Sequence, residues 1–254
     1  MIPSGLYANR DLRQRELVPP HKLAACHALV IGVGAIGRQV ALQLAAMGAG
    51  SLELFDHDHV GPENLAPQGF WNHQVGQAKV QATGEHCRLI NPQLRLTTHA
   101  RRFARSSARQ LVTLHSMVIF CCVDQIQTRR LIWETLHQRA AFFVDGRMSA
   151  EVIRVLSCRR PDREEHYPTT LFAAEQAYGG SCTARSTIYT ASIAAGLMLG
   201  QFTRWLRDLP TDPDLSLNLL ASEMSCGLAV APPATRASAT SFPIPTPMAS
   251  GAIG

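Results

Sequence analysis

Apolar residues in the first part of the chain follow two different patterns. Residues 27–55 begin with a short apolar run, pass through several glycines, and then show helical apolar spacing from Ile36 to Met47. A second apolar run follows directly. Short apolar runs bounded by glycine are typical of buried strands, and apolar spacing of three and four residues is typical of helices. This segment therefore predicts a strand, a turn, a helix and a second strand.

The alternation of strand and helix patterns continues along most of the chain. It predicts helices over Val75–Ile90, Ser106–His115, Ile126–Gln138 and from about Ser186 to Leu206, and strands over Leu94–Thr98, Met117–Val123, Phe142–Asp145 and Glu151–Ser157. Repeated units of this kind pack as a mostly parallel sheet with helices on both faces. We therefore predict an α/β fold, and we expect the half after Asp145 to share the same core.

The two ends of the chain differ from this pattern. Residues 1–26 read as an N-terminal arm, and residues 27–228 as one α/β domain. Residues 229–254 are rich in Ala, Ser, Thr and Pro, with Arg236 as their one charge. Such a segment buries too little apolar surface to offset its ordering entropy, so we predict a disordered tail.

Composition narrows the class of protein. The chain has 254 residues, of which 46% are hydrophobic, and a net charge of +5, which excludes a wholly disordered chain. Its longest apolar stretch, residues 188–202, is interrupted by polar residues, so we expect no membrane span. The N-terminus lacks the pattern of a secretory signal, which predicts a cytoplasmic protein. The seven cysteines include no CxxC pair, and we expect reduced thiols.

The first glycines form a GxGxxG pattern in a favourable context. Gly32, Gly34 and Gly37 follow one predicted strand and open one predicted helix, so backbone N–H groups there can hold a phosphate. Asp56 ends the next strand about 20 residues later, where a carboxylate accepts hydrogen bonds from ribose hydroxyls. Together these features predict a Rossmann-like nucleotide site, with either an adenine dinucleotide or ATP as the ligand.

Three further motifs favour ATP. Asp56 opens Asp-His-Asp-His-Val, Asn64 opens Asn-Leu-Ala-Pro-Gln, and Gly76 and Lys79 form a G-x-x-K pattern. A later strand ends in Cys-Cys-Val-Asp-Gln at residues 121–125, with an arginine four residues further on. In this order the motifs resemble those of the ThiF/MoeB superfamily, the adenylating enzymes related to ubiquitin-activating enzymes. The resemblance runs from about Arg10 to Arg204.

The resemblance implies a role for each matching residue. Asp56 binds the ribose, Asn64 and Lys79 lie near the phosphates, and Asp124 meets Mg²⁺ bound to ATP. Asp58 and Gln68 are further nucleotide-binding residues by the same resemblance. Lys79 is a compact positive charge suited to a phosphate, and a carboxylate such as Asp124 is a hard oxygen ligand for Mg²⁺. On spacing alone, the pattern favours a solvated helix lysine at Lys79.

Two features depart from the family pattern. Pro67 stands where the family has an arginine, so a phosphate contact is missing unless another arginine supplies it. Arg10 and Arg13 are candidates, because the segment Arg-Asp-Leu-Arg-Gln resembles a family segment whose arginine reaches the nucleotide across a dimer. We assign this role to Arg13, and we therefore expect a homodimer. The paired cysteines with which many members hold zinc are also absent, and we predict no zinc.

Cys182 lies in Cys-Thr-Ala-Arg, just before a predicted helix whose N-terminus would lower the pKa of its thiol. The segment resembles the C-T-x-R motif of ubiquitin-like activating enzymes, whose cysteine accepts the activated carboxyl group as a thioester. A buried structural thiol is the competing interpretation. We expect Cys121 and Cys122, in an apolar strand, to be core residues.

A stretch without acidic residues adds a basic feature. Six arginines lie between Glu85 and Asp124: Arg88, Arg95, Arg101, Arg102, Arg105 and Arg109. They are able to attract an acidic protein or a nucleic acid, but no nucleic-acid-binding motif accompanies them, and a solvated basic face explains them equally well. His57 and His59 alternate with Asp56 and Asp58, which we interpret as loop structure rather than a metal site.

The resulting hypothesis is an ATP- and Mg²⁺-dependent adenylyltransferase. By the resemblance, its substrate is the C-terminal carboxylate of a small ubiquitin-like or sulfur-carrier protein, Cys182 forms a thioester afterwards, and a conjugating enzyme is a further partner. The alternatives are adenylation of a small molecule or a tRNA base, an NAD-dependent oxidoreductase, and a nucleotide-binding scaffold without catalysis.

Overall fold

The computed structural model describes residues 9–111, 116–171 and 186–227. These residues form one eight-stranded sheet with the strand order β3-β2-β1-β4-β5-β6-β7-β8. The strands are β1 (His27–Ile31), β2 (Ser51–Asp56), β3 (Arg95–Ala100), β4 (Met117–Cys121), β5 (Phe142–Ser149), β6 (Val152–Cys158), β7 (Asp214–Asn218) and β8 (Glu223–Cys226). The first five strands pair in parallel, and β6, β7 and β8 continue the sheet with antiparallel pairing.

Helices cover both faces of this sheet. They are α1 (Pro20–Ala25), α2 (Ala35–Met47), α3 (Leu65–Gln68), α4 (Lys79–Ile90), α5 (Arg105–Gln110), α6 (Ile126–Leu136), α7 (His166–Thr169) and α8 (Ile188–Leu206). One face packs α2, α4 and α8 against residues such as Val30 and Val144. The other packs α5, α6 and α7 against Ile31 and Phe143. The predicted α/β, Rossmann-like architecture is confirmed.

Helix α2 and helix α8 form the larger core. Helical spacing places Ile36, Val40 and Leu44 on one buried face of α2, and Gly48, in the left-handed region at φ 95°, ends this helix. Small residues such as Ala194 bring α8 close to the sheet, and the Thr187 hydroxyl accepts a hydrogen bond from the Thr190 amide at its start. The predicted sharing of one core by both halves of the chain is confirmed.

The helix predicted over Val75–Ile90 begins only at Lys79, so its first four residues were assigned wrongly. Gly76 is in the left-handed region, and its amide donates to the Val60 carbonyl. The Val60 amide in turn donates to the Gln77 carbonyl at 2.9 Å. These bonds keep residues 75–78 out of the helix and fix the position at which Lys79 enters the site.

The second half contains elements that the apolar pattern did not predict. Strand β5 continues past Asp145 to Ser149 because it pairs with β6 through a turn at Ala150, whose φ is 52°. The β7–β8 hairpin and α1 were also not predicted.

At the N-terminal side, Arg10 and Gln14 donate hydrogen bonds to carbonyls at the end of α2. The predicted tail at residues 229–254 lies outside the described residues. Within the described ranges, no helix is long and apolar enough to cross a membrane.

Candidate functional site

A cleft of about 1280 Å³ lies at the carboxyl ends of the parallel strands. Because β1 and β4 are neighbours whose helical connections run to opposite faces, this edge is where ligands bind in open α/β sheets. The cleft is lined by Gly32, Gly34, Asp56, Asp58, Asn64, Gln68, Lys79 and Asp124, among others. The structure thus brings together eight of the residues that the sequence analysis selected.

The glycine turn shows a different requirement at each glycine. Gly32 has φ 87°, and a Cβ there would lie 2.7 Å from the Cys122 carbonyl oxygen. At Gly37 a Cβ would lie 1.8 Å from the Gly32 carbonyl oxygen, so Gly37 lets α2 pack against the turn and does not line the cleft. A Cβ on Gly34 would meet nothing within 4 Å, since this residue faces open space at the start of α2. The unpaired amides of that helix end are suited to a phosphate.

Asp56 links the end of β2 to the glycine turn. Its Oδ2 accepts a hydrogen bond from the Val33 amide at 2.6 Å, and its Oδ1 accepts one from the Asp58 amide at 2.8 Å. Each carboxylate oxygen has further acceptor capacity for a ribose hydroxyl. Two backbone amides therefore fix the carboxylate in the cleft before any nucleotide binds.

Lys79 is a nearly buried cation at the start of α4. Its Nζ lies 3.2 Å from Oδ2 of Asp58, and its side chain is 8% exposed. The Lys79 amide also donates to the Asp58 carbonyl, so the two residues are held together by backbone and side-chain contacts. Burial and an ion pair argue against the interpretation of Lys79 as a solvated helix lysine.

The segment from Asn64 to Gln68 lies on the side of the cleft next to the glycine turn. The Asn64 side-chain oxygen accepts a hydrogen bond from the Gly61 amide at 3.0 Å, which leaves the amide nitrogen of Asn64 for a ligand. Gln68 Oε1 is buried without a hydrogen-bond partner among the described residues. Pro67 lines the cleft between them and offers no cation.

Asp124 follows β4 and precedes α6. It is exposed and lines the cleft together with residues of the first turn of α6, such as Gln127 and Thr128. Its carboxylate therefore stands at an edge shared by the glycine turn and a second helix N-terminus.

Neither arginine that the sequence analysis proposed as a substitute at Pro67, Arg10 or Arg13, lines the cleft. Arg10 is occupied at the end of α2, where its Nη2 donates to the Ala45 carbonyl at 2.7 Å. Arg13 is exposed on the N-terminal arm and is not part of the cleft lining within this chain. Four other arginines line the cleft: Arg102, Arg129, Arg147 and Arg154.

These four arginines have different partners. Arg102, from the predicted basic stretch, lies 2.7 Å from Nε2 of His57. Arg154 pairs with both carboxylate oxygens of Asp214. Arg129 and Arg147 both pair with Asp145, which is completely buried. Sequence reasoning missed Arg147 and Asp145, although a charged pair that interrupts a buried strand at Asp-Gly-Arg was the signal that could have found them.

The rest of the basic stretch is a surface feature with local partners. Arg105 pairs with Glu134, and the Arg101 side chain donates to Gln110. Arg95 and Arg109 are exposed.

The acids and histidine after β2 are close enough to suit a metal ion, since ligand atoms of Asp56, His57 and Asp58 lie within 4.8 Å of one another. Two of these side chains already have partners: Asp56 accepts from the Val33 amide, and Asp58 pairs with Lys79.

Cys121 is a core residue, as predicted, whereas Cys122 is only partly buried and lines the cleft. Both cysteines are poor nucleophiles. Burial raises the pKa of the Cys122 thiol well above its ordinary value of 9.0, and burial also raises the pKa of Cys121. Both thiols are therefore protonated at neutral pH. Cys182 lies outside the described residues.

Comparisons with known proteins agree with this geometry. The profile of the ThiF family matches residues 10–224. The adenylyltransferase and sulfurtransferase MOCS3 of Mus musculus is 37% identical over 112 residues, which are 44% of this chain and 24% of that protein. Its counterpart uba4 of Aspergillus niger is 31% identical over 115 residues, 45% of this chain and 24% of that protein. The match thus spans about a quarter of these relatives.

Solved structures show a similar fold. The crystal structure of PaaA has a TM-score of 0.72 at 18% identity and covers 88% of this chain and 73% of its own. The structure of E. coli MccB with ATP has a TM-score of 0.69 at 14% identity, with 88% and 72% covered. At these identities the similarity concerns the fold.

Proposed function

Because the chain belongs to the ThiF family, we propose that it is an ATP-dependent adenylyltransferase. Its substrate is the C-terminal carboxylate of a small ubiquitin-like or sulfur-carrier protein. The observation that carries the proposal is the convergence of the glycine turn, Asp56, Lys79 and Asp124 on one cleft. The relatives MOCS3 and uba4, each an adenylyltransferase and sulfurtransferase, support the same reaction class.

The cleft suggests a direction for the bound ATP. Asp56, at the end of β2, accepts hydrogen bonds from the ribose hydroxyls, as carboxylates do at this position of the fold. The phosphates then extend over Gly34 and the N-terminus of α2 toward Asp124. Lys79 and the free amide of Asn64 are placed beside the same path. ATP therefore runs from the β2 side of the sheet to β4.

The reaction needs little covalent chemistry from the protein. An oxygen of the substrate carboxylate attacks the α-phosphorus of ATP and forms a new P–O bond. The bond from the α-phosphorus to the bridging oxygen breaks, and pyrophosphate leaves with that electron pair. Lys79 and the amides of the glycine turn stabilise the negative charge that develops on the phosphoryl oxygens.

Asp124 is the residue that would hold Mg²⁺. Its carboxylate is exposed on the lining of the cleft, and carboxylates together with phosphate oxygens are the usual ligands of this ion. When bound, Mg²⁺ neutralises charge on the phosphates. The donor set of the cleft therefore fits the ion.

A thioester step on Cys182 would follow adenylation. Its thiolate attacks the carbonyl carbon of the acyl adenylate, the bond from that carbon to the phosphate oxygen breaks, and AMP leaves. In the sequence, Cys182 precedes by four residues Ser186, which lines the cleft. The high pKa of Cys121 and Cys122 argues against either as the acceptor.

The proposed enzyme acts as a homodimer in which Arg13 of one copy completes the cleft of the other. The proposal is supported by Pro67, which stands where the family has an arginine, and by the N-terminal arm of the same chain, whose arginines do not line the cleft.

An oxidoreductase that uses NAD is disfavoured, because the family match extends over the Asn64, Lys79 and Asp124 motifs, for which hydride transfer has no use.

The test is ATP–pyrophosphate exchange with Mg²⁺ and a small protein that ends in Gly-Gly, ideally one encoded beside this gene. We expect Asp124→Ala to lower the exchange rate by about a hundredfold or more, as the loss of a transition-state contact does. Cys182→Ala keeps exchange but forms no thioester. Asp162→Ala, at an exposed residue outside the cleft lining, is the matched control.

Other outcomes would redirect the proposal. ATP binding without exchange for any protein substrate would favour a small-molecule substrate or a scaffold. Stimulation by tRNA with a steep salt dependence would favour a nucleic-acid substrate. Absence of ATP binding would refute the adenylation mechanism.

A further inference from the structure

The cleft continues beyond the end of β4, away from the proposed nucleotide. Strand β5 lies on the opposite side of β4 from β1 and β2. This half of the cleft is lined by Gly146–Ser149, Val152, Arg154 and Ser186. If the ribose is at β2 and the phosphates reach β4, the other reactant approaches over β5.

A buried charge cluster stands under this half. Asp145 is completely buried and pairs with Arg129 and Arg147, and its Oδ2 also accepts a hydrogen bond from the Tyr167 hydroxyl at 3.1 Å. Two guanidinium groups thus share one carboxylate. Among the described residues one positive charge is left over, and burying an unbalanced charge is costly unless an anion completes the set.

Arg147 is the member of the cluster that is able to receive an anion. Its Nε donates to Asp145 at 2.8 Å, its Nη1 to the Thr170 carbonyl at 3.0 Å, and its Nη2 to the Thr170 hydroxyl at 2.9 Å. A guanidinium has five N–H donors, so after these three bonds two have no partner in the part of the chain that the structure describes. The side chain is 15% exposed and lines the cleft. Its orientation is therefore fixed while two donors remain available.

The two neighbouring arginines are less suited to the same role. Arg129 is 7% exposed at its side chain, and both of its terminal nitrogens donate to the Gly146 carbonyl at 3.3 Å. The charge of Arg154 is matched by Asp214, to which it donates two hydrogen bonds of 2.9 and 2.6 Å.

We infer that Arg147 binds the reacting carboxylate of the second substrate, and that Asp145, Tyr167 and Thr170 are positioning residues that hold its guanidinium toward the cleft. This inference rests on the proposed function, because it names the group that receives the substrate of that reaction. A planar guanidinium is suited to a carboxylate, which it binds through paired hydrogen bonds. Arg147 thereby places the nucleophilic oxygen on the β5 side of the phosphates.

The test compares two forms of one peptide that ends in Gly-Gly, the free carboxylate and the C-terminal amide. Calorimetric binding to the full chain is measured with and without Mg²⁺ and a nonhydrolysable ATP analogue. We expect the wild type to bind the carboxylate form about tenfold or more tightly, as a charge-assisted hydrogen-bonded pair allows. Arg147→Met should abolish this preference, and Arg147→Lys should restore part of it.

Arg154→Met is the matched control, because it removes an arginine from the same half of the cleft whose charge is already balanced. It should keep the preference for the carboxylate. Tyr167→Phe removes one bond to Asp145 and should reduce the preference only a few fold. Equal binding of the two peptides by the wild type, no binding of either, or an unchanged preference in both Arg147 variants would overturn the inference. Failure of the proposed function appears separately, as an absence of ATP binding or of pyrophosphate exchange.

Discussion

Asp56 and Asp145 both stand near the carboxyl ends of parallel strands, yet different groups hold them. Asp56 accepts hydrogen bonds from the amides of Val33 and Asp58, and its side chain keeps 8% exposure. Asp145 is completely buried and is held by two arginines and a tyrosine. The central carboxylate of the nucleotide half is thus held by backbone amides, and that of the β5 half by side chains. Removing each carboxylate should therefore have different consequences.

The largest effect should follow Asp145→Asn, which removes the only carboxylate that the described structure pairs with Arg129 and Arg147. Breaking a buried ion pair leaves an uncompensated charge, which typically costs about 3–5 kcal/mol. Asp56→Asn keeps one oxygen acceptor for the amides and should cost about 1 kcal/mol, while it weakens ATP binding. Urea unfolding of both variants measures the difference. Equal losses would contradict the distinction between the two halves.

A second comparison separates packing from ligand space within the glycine turn. Gly37→Ala places a Cβ 1.8 Å from the Gly32 carbonyl oxygen, so α2 has to shift, at a cost of about 1–3 kcal/mol. Gly34→Ala adds a methyl group to open space at a φ of −79° and should leave the unfolding free energy unchanged. It should nevertheless weaken ATP binding, because the methyl group occupies the space of a phosphate. A Gly34→Ala variant with normal ATP affinity would exclude a phosphate at this position.

Sequence predicted the nucleotide half well because its contacts are local. Gly32, Asp56 and Lys79 occur within 48 residues. Gly32 and Asp56 follow apolar runs that mark strands, and Lys79 lies within a segment that apolar spacing marks as helical. Parallel strands bring their carboxyl ends to one edge, so the positions of the strand ends were enough to bring these residues together. The start of α4 was misplaced, because the bonds between Val60 and residues 76–77 have no apolar signature.

The β5 half was not predictable in the same way. Arg147 is held by Thr170, which is 23 residues distant in the sequence, and the carboxylate of Asp145 pairs with Arg129 of α6. Apolar spacing does not reveal such contacts, because the pattern of Phe142–Asp145 is that of any strand end. Antiparallel pairing of β5 with β6 places Arg147 beside Arg154. The register of this pairing depends on the turn at Ala150. Side-chain pairing between distant elements required the structure.

The smallest predicted effect concerns acid stability at β2, where an acid is held by side chains rather than by amides. Burial opposes ionisation of Glu53, but hydrogen bonds from His27 and His99 outweigh it, so the pKa of Glu53 lies below its ordinary value of 4.5. A carboxylate with a depressed pKa stabilises the fold at pH values above its unfolded pKa, and this contribution is lost as the pH falls through the folded pKa.

Glu53→Gln should therefore lower the unfolding free energy at pH 7 by about 1 kcal/mol, the size of a net hydrogen bond. The decrease of the unfolding free energy below pH 4.5 should also be smaller in this variant than in the wild type. Unfolding by urea between pH 7 and pH 3 measures both effects, and Glu63→Gln, at an exposed acid, is the control. If the pH dependence of Glu53→Gln matched that of the wild type, Glu53 would not be the acid that the β2 histidines stabilise.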